Sequence, residues 1–257
     1  MYVRYERRGD TPWVVIDRAA KLNALDLDGW QGITEALTRA GEEAPGPVVL
    51  TGTGRAFCAG DDIATFQEHT TRERARHFFI DGLFGTMEAI ATHPYPVIAA
   101  VNGLAIGGGC ELVLVSDLAI AAESARFALP EGRIGAWPTV QVGVVAHESG
   151  RKRANEMALE MDFVPAARAP EFGLVNRVVP DAELEREVQA TVARISTGSL
   201  HAQRQSKRFL NEELVQRGLP KTKRALEALI DETLPSHDLQ EGTTAFLEKR
   251  QPQFTDA

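Results

Sequence analysis

The chain contains little cysteine: Cys58 and Cys110 are the two cysteines among 257 residues, and they lie far apart in the sequence. This small number excludes a disulfide scaffold and zinc sites of the Cys-x-x-Cys type. The six histidines show no metal-ligand spacing, so we predict no metal site. Unpaired thiols suit a reducing cytoplasm or an organelle matrix, and of these we expect the cytoplasm.

Positive charge and long apolar runs are scarce as well. The 28 lysines and arginines are outnumbered by 36 aspartates and glutamates, which gives a net charge of −8 and argues against a nucleic acid partner. The most apolar stretch, residues 96–115, is interrupted by glycines and by Glu111, whose burial in lipid would be costly. Residues 1–8 alternate apolar and charged side chains and lack the apolar stretch of a secretory signal. We therefore expect a soluble protein without a membrane partner.

Strand and helix patterns in the first two thirds of the chain predict an α/β fold. Apolar, β-rich runs at residues 13–17 and 48–51 flank an amphipathic helix at 27–43, and this order favours a parallel βαβ unit. Two further apolar runs, at residues 97–101 and 118–121, have the length and the boundaries of buried strands.

Amphipathic helices dominate after residue 150. We predict them at residues 151–160, 181–195, 200–217, 222–234 and 238–250. The sequence contains no internal repeat and no low-complexity linker. We therefore divide the chain into an α/β core, residues 1–197, and a C-terminal helical segment, residues 198–257, that packs on this core or on another subunit.

Three glycine-containing segments could carry chemistry. The first, residues 50–63, is predicted as a strand that ends in a glycine-rich loop and then enters a helix. Gly60 permits a positive φ there, and Asp62 is placed to cap the helix that follows. Such a loop leaves backbone N–H groups free, although an ordinary tight strand-to-helix turn has the same pattern.

The second segment, residues 101–112, places three consecutive glycines, 107–109, at a predicted helix start. The first-turn N–H groups of a helix have no intrahelical acceptor, and Glu111 lies one turn after Gly108 on the same face. Free donors and a carboxylate would then share one small volume. A glycine-rich helix packed tightly on a neighbour, with Glu111 favoured by the helix dipole, is the structural alternative.

The third segment, residues 127–138, holds Glu131 between Pro130 and Gly132 in a mostly apolar loop. Apolar surroundings raise the pKa of a carboxyl group, so Glu131 could exchange protons near neutral pH. Most loop glutamates have no such role, and this segment alone predicts little.

In order, content and separation, these three segments resemble the central motifs of the enoyl-CoA hydratase/isomerase family, the crotonase superfamily. Residues 17–25 resemble the opening signature of the family, with Ala19 in place of its usual proline, and residues 165–178 and 241–254 resemble its closing motifs. The resemblance runs nearly end to end. It implies a spiral core of ββα units followed by a C-terminal helical oligomerisation segment, a homotrimer or a dimer of trimers, and an acyl-CoA substrate. No cofactor is implied, because coenzyme A is part of the substrate.

The resemblance also implies roles for single residues. In this family two backbone N–H groups, here those of Asp61 and Gly108, hold the thioester carbonyl oxygen. Two glutamates, here Glu111 and Glu131, flank a water molecule at the β-carbon. Glu111 would chiefly activate the water and Glu131 would chiefly protonate the α-carbon, giving syn addition across the 2,3 double bond of a 2-enoyl-CoA and a 3-hydroxyacyl-CoA product. Residues at positions that correspond to substrate or coenzyme A contacts are Lys21, Arg55, Ala59, Asp62, Ile63 and Lys249.

Other functions remain open on the same fold: a Δ3,Δ2-enoyl-CoA isomerase, an acyl-CoA thioester hydrolase, or a catalytically silent binding member. The presence of both glutamates favours the hydratase. One isomerase subgroup carries an aspartate directly after the proline that corresponds to Pro138, whereas this chain has Thr139.

Two departures from the family pattern concern the site itself. Residues 139–145 replace a glycine-rich run of many members, so the backbone and the acyl wall should differ there. An ionised Asp61 would oppose a developing oxyanion unless its carboxylate points to solvent or to a cation. Apolar residues of the stretch after Asp62 could line an acyl pocket, although such residues more often belong to the core: Phe66, Phe78, Phe79, Leu83, Phe84 and Met87. Trp137 is a further pocket candidate.

Overall fold

A computed structural model describes residues 2–68, 71–148 and 150–256. Its larger sheet has six strands in the order β1-β2-β3-β5-β7-β10. These strands are β1 (Val3–Arg8), β2 (Thr11–Ile16), β3 (Val48–Gly52), β5 (Val97–Val101), β7 (Leu118–Ala122) and β10 (Arg177–Val179). β1 and β2 form an antiparallel hairpin and every other pairing is parallel, including the predicted βαβ pairing of β2 with β3. Burial on both faces explains why β3 and β5 are continuous apolar runs.

A second, smaller sheet has the order β4-β6-β8-β9. Its strands are β4 (Ala56–Cys58), β6 (Leu104–Ile106), β8 (Arg126–Ala128) and β9 (Val164–Pro165). β4, β6 and β8 are mutually parallel, and each follows a strand of the larger sheet by a few residues. The chain therefore passes repeatedly through one strand of each sheet and then a helix, which confirms the predicted α/β class.

Ten α-helices lie within the described residues. They are α1 (Leu27–Glu43), α2 (Arg72–Arg76), α3 (Gly85–Thr92), α4 (Gly108–Val115), α5 (Thr139–Glu148), α6 (Arg151–Glu160), α7 (Leu184–Ser196), α8 (Leu200–Leu210), α9 (Leu219–Ala228) and α10 (His237–Glu248). Several predicted helices are interrupted by wide, π-type turns, at His77–Phe84, Leu214–Gly218 and Leu229–Thr233. Local periodicity did not distinguish these turns from α-helix, because their apolar spacing is nearly the same.

Two apolar layers enclose the larger sheet. One lies under α1, α3 and α4 and contains Trp30, Leu50 and Phe57; the other lies under α7 and contains Trp13 and Val188. The C-terminal helices pack on the core of their own chain: α9 lies on α5, and α10 lies on the turns Ile63–Glu68 and Glu131–Ile134. In the described part of the chain, no helix is both long and apolar enough to cross a bilayer.

Candidate active site

The three parallel strands of the smaller sheet end at one cavity. β4 leads into Asp61, β6 into Gly108 and β8 into Glu131, and all three residues line a cavity of about 440 Å³ together with Glu111. Parallel strands present their carboxyl ends at the same edge of a sheet, which explains how residues up to 70 positions apart meet there. The three sequence segments singled out above therefore form one site.

Asp61 forms a parallel backbone bridge with Leu25 that leaves the N–H of Asp61 free. The N–H of Leu25 donates to the carbonyl of Gly60 at 2.8 Å, and the N–H of Asp62 donates to the carbonyl of Leu25 at 2.8 Å. In such a parallel bridge the N–H of the residue between points away from the partner. Gly60 has a φ of +81°, and a Cβ there would lie 2.9 Å from the backbone N of Gly108.

Gly108 is the first residue of α4, so its N–H has no acceptor in its own helix. No backbone hydrogen bond from Asp61 or Gly108 is present in the described part of the chain. A Cβ on the next residue, Gly109, would lie 2.0 Å from the carbonyl oxygen of Cys58, so glycine is required for α4 to approach β4. Two unpaired donors thus stand side by side at the cavity wall.

Glu111 is buried, and its carboxylate is held by another helix. Its Oε1 accepts from the N–H groups of Val140 and Gln141 at 2.9 and 3.1 Å, in the first turn of α5. The unusual run after Pro138 is therefore a helix start that binds the carboxylate. Burial raises the pKa of Glu111 to about 8, the charge of Asp61 adds to this shift, and the two N–H groups oppose it.

Glu131 has a different environment. It opens the 3-10 turn Glu131–Ile134, and its Oε1 lies beside Gly107. Its Oε2 is buried and has no hydrogen-bond partner among the described residues. Burial, with the nearby charge of Glu111, raises the pKa of Glu131 well above its usual range. The two carboxyl groups titrate as one unit. Because Glu111 accepts two N–H bonds and Oε2 of Glu131 accepts none, the pair favours an ionised Glu111 and a protonated Glu131.

Among the described residues no cation pairs with the carboxyl group of Asp61, and the residue is partly exposed where it lines the cavity. Its Oδ1 accepts a hydrogen bond from the indole Nε1 of Trp30 at 2.9 Å. Burial raises the pKa of Asp61 to about 7, and the bond from Trp30 opposes the shift. The sequence offered no signal for this pairing, because Trp30 follows the pattern of a core residue.

The residues suggested for substrate and coenzyme A contacts divide into two groups. Ala59 and Ile63 line the cavity. Asp62 is buried and already engaged: its Oδ1 accepts from the N–H of Ala64, and its Oδ2 pairs with Arg18 at 3.0 Å. These partners give the Asp62 carboxylate a structural role, and contact of Asp62 with a ligand stays a prediction. The three cations Lys21, Arg55 and Lys249 lie outside the cavity lining, whereas Arg250, which forms ion pairs with two glutamates, belongs to it.

The lining of the cavity is largely apolar and comes from distant segments. Of the residues considered for an acyl pocket, Phe79, Leu83 and Trp137 line the cavity, whereas Phe78, Phe84 and Met87 belong to the core. The side chain of Phe66 lies outside the described part of the structure. Sequence reasoning did not place several further apolar residues in the lining, among them Leu22, Ile106, Phe163, Leu229, Leu239 and Phe246. The tertiary structure alone brings them together. Within residues 2–68, 71–148 and 150–256, no cluster of acidic, histidine or cysteine side chains could hold a metal ion.

Comparisons with known proteins agree with this geometry. A family model described as enoyl-CoA hydratase/isomerase matches residues 12–257. A probable enoyl-CoA hydratase of Rhodobacter capsulatus is 37% identical over 256 residues, covering 98% of this chain and 97% of the relative. A crotonyl-CoA hydratase of Syntrophomonas wolfei is 36% identical over 244 residues, covering 93% and 92%. The crystal structure of a carnitinyl-CoA hydratase from Mycobacterium avium, 33% identical, superposes with a TM-score of 0.87 over 100% of this chain and 99% of that one.

Proposed function

Since the chain belongs to the enoyl-CoA hydratase/isomerase family, we propose that it is a hydro-lyase that adds water to the 2,3 double bond of a 2-enoyl-CoA. The observation that carries this proposal is the pairing of two unlike glutamates, Glu111 and Glu131, with two free backbone N–H groups around one apolar cavity. A silent binding member would have no need for two buried carboxyl groups whose environments differ in this way.

The N–H groups of Asp61 and Gly108 bind the thioester carbonyl oxygen. When water attacks the β-carbon, negative charge moves onto this oxygen in an enolate-like transition state. Two preorganised amides stabilise that charge, and removal of one such donor costs roughly 3–4 kcal/mol in well-studied enzymes.

The two glutamates move the protons. Ionised Glu111 takes a proton from water while the water oxygen bonds to the β-carbon, and protonated Glu131 gives its proton to the α-carbon. Both carboxyl groups line the same cavity. We propose that they act from one face of the double bond, so that the hydroxyl and the hydrogen add syn. Return of one proton from Glu111 to Glu131 then resets the pair for the next cycle, and the product is a 3-hydroxyacyl-CoA.

The cavity indicates which part of the substrate it holds. Its walls near Phe79, Leu83 and Trp137 are apolar and suit an acyl chain, as does its volume of about 440 Å³. Coenzyme A enters as part of the substrate, and no separate cofactor is proposed. We propose that Arg55, Lys21 and Lys249, at the periphery, contact its phosphates.

Hydration removes the conjugation between the double bond and the thioester, so the ultraviolet absorbance of crotonyl-CoA measures the reaction directly. We expect this absorbance to fall on addition of the protein, and a series of longer and branched 2-enoyl-CoA thioesters gives the preferred chain. Glu35→Gln, a change on the exposed face of α1, serves as a control with unchanged turnover.

Other outcomes would contradict the hydratase. Failure to consume any 2-enoyl-CoA, together with conversion of a 3-enoyl-CoA into its conjugated isomer, would establish an isomerase. Release of free coenzyme A thiol from a saturated acyl-CoA would establish a hydrolase.

Assembly and location complete the proposal. We propose a homotrimer or a dimer of trimers in the cytoplasm, acting in fatty acid metabolism. Phe209 and Leu210 at the end of α8 are 61% and 81% exposed, an apolar pair that assembly would cover. Light scattering should give three or six times the 28.0 kDa chain mass, and a monomer would contradict this part of the proposal.

A further inference from the structure

The indole of Trp30 lies directly behind the two amides assigned to the thioester oxygen. Its Nε1–H donates to Oδ1 of Asp61 at 2.9 Å. The edge of its six-membered ring faces Gly108, where a Cβ would lie 3.0 Å from Cζ2 of Trp30. One side chain therefore contacts both segments that supply an amide.

Trp30 is itself held firmly. It is fully buried in α1, and its carbonyl oxygen accepts a hydrogen bond from Oγ1 of Thr86 in α3 at 2.8 Å. Complete burial and this bond to α3 therefore hold the indole in place before any ligand binds.

Asp61 presents a charge problem that this N–H can solve. Its carboxyl group lies on the same residue as one of the two amides, and it lines the cavity together with Glu111 and Glu131. No ion pair to Asp61 exists among the described residues, and its one side-chain hydrogen bond there comes from Trp30. A carboxylate free to turn toward the thioester oxygen would oppose the enolate charge that forms on it.

We propose that Trp30 is a positioning residue, whose indole N–H holds the carboxyl group of Asp61 away from the thioester oxygen and so keeps the two amides effective. This inference rests on the proposed function, since it requires a thioester oxygen at those amides. It explains how the chain accommodates an acid at a position where an ionised side chain should hinder the reaction.

Acetoacetyl-CoA is a suitable probe because it is a β-ketothioester that cannot be hydrated across a double bond. Amides that stabilise an enolate oxygen increase the fraction of the bound probe that is ionised, and the enolate has a near-ultraviolet band of its own. The measurement is made at about pH 9, above the pKa of about 7 of Asp61. We expect the wild-type protein to bind the enolate, and we expect Trp30→Phe to weaken enolate binding at least about tenfold while leaving the affinity for free coenzyme A unchanged.

A matched control separates this effect from the loss of a core tryptophan. Trp13 is also fully buried, but within the described part of the chain its indole N–H has no hydrogen-bond partner. Trp13→Phe should therefore leave enolate binding unchanged. In the double variant Trp30→Phe with Asp61→Asn the charge is gone, so most of the lost enolate affinity should return. A loss that the second substitution does not restore would reveal a purely structural role and overturn the proposal.

Two single variants of Asp61 test the positioning role of Trp30 even if Trp30→Phe fails to fold. Asp61→Asn keeps an oxygen acceptor for Trp30 without the charge, and it should bind the enolate more tightly than the wild type. Asp61→Glu keeps the charge but its longer side chain displaces it from the indole, and it should bind about tenfold more weakly. Equal enolate affinity of the Glu variant and the wild type would overturn the inference. Absence of any acetoacetyl-CoA binding to the wild type would instead overturn the proposed function, and this inference with it.

Discussion

At the scale of single residues, the site depends on giving two identical side chains unlike surroundings. Glu111 accepts two backbone N–H groups from α5, whereas Oε2 of Glu131 has no partner, although both groups are buried beside the same cavity. The sequence identified both glutamates, but it could not show which helix holds Glu111. That donor pair comes from Val140 and Gln141, almost 30 residues further along the chain.

Replacement of either glutamate by glutamine tests their chemical roles. Glutamine preserves the shape of the side chain but cannot accept or deliver a proton in the same way, so we expect Glu111→Gln and Glu131→Gln each to lower kcat by about 10²–10⁴-fold. Steady-state kinetics with crotonyl-CoA measures this, and the affinity for the product should change little. Near-normal turnover of both variants would contradict the two-carboxylate mechanism.

The raised pKa of Glu131 also predicts how stability varies with pH. In the unfolded chain this carboxyl ionises near pH 4.5, whereas burial keeps it protonated in the folded state to a much higher pH. The folded state therefore binds more protons above pH 4.5, and the free energy of unfolding should fall as pH rises, by up to about 1.4 kcal/mol per pH unit from this group.

Glu131→Gln removes this titration. Urea unfolding at several values between pH 5 and 8 should therefore show the variant gaining stability relative to the wild type as the pH increases. A stability difference that is constant over the whole range would contradict the burial of an ionisable group at this position.

At the scale of elements, the site depends on the close approach of α4 to β4. The three strand ends bring Asp61, Gly108 and Glu131 to one edge, but the two amides lie side by side because glycine at position 109 lets the helix contact the strand. The glycine run was recognisable in the sequence as a helix start with free donors. Its contact with Cys58 follows from pairing of β4 with β6, which no local pattern specifies.

Two glycine substitutions compare a tight position with an open one. A Cβ on Gly109 would lie 2.0 Å from the carbonyl oxygen of Cys58, so Gly109→Ala should lower the free energy of unfolding by about 1–3 kcal/mol and reduce hydration. Gly85 lies in the first turn of α3, and a Cβ there would lie 3.7 Å from its nearest atom, the carbonyl oxygen of Ile80. Gly85→Ala should therefore be neutral or up to about 1 kcal/mol more stable. Urea unfolding measures both, and equal effects would contradict the close packing of α4 on β4.

At the scale of the whole molecule, a buried ion pair fastens the C-terminal helices to the α/β core. Nζ of Lys207 in α8 pairs with Asp117 at 2.7 Å and also donates to the carbonyls of Ile90 and Tyr95. Asn211, one turn later, donates to Asp117 and to Ala91. These contacts fix α8 on the core, while α10 reaches the cavity through Leu239 and Phe246.

Loss of Lys207 should leave Asp117 without its cation. Because breaking a buried pair leaves an uncompensated charge, we expect Lys207→Met to lower the free energy of unfolding by about 3–5 kcal/mol. Lys221→Met, at an exposed position in α9, should change it by less than about 0.5 kcal/mol. A double variant with Asp117→Asn should recover part of the loss, and additive losses in the thermodynamic cycle would contradict direct coupling of the pair.

The sequence by itself determined the α/β class, the family, and the segments that supply the chemistry, because strand, helix and glycine-turn signals are local and Glu111 and Glu131 lie within recognisable motifs. Only the tertiary structure decided which groups meet: Trp30 with Asp61, Glu111 with the start of α5, Arg18 with Asp62, and Phe163 and Phe246 with the cavity. The physical reason is that the hydrogen bonds and packing contacts joining these groups depend on strand order and helix placement, which bring together residues too distant along the chain for any local pattern to relate.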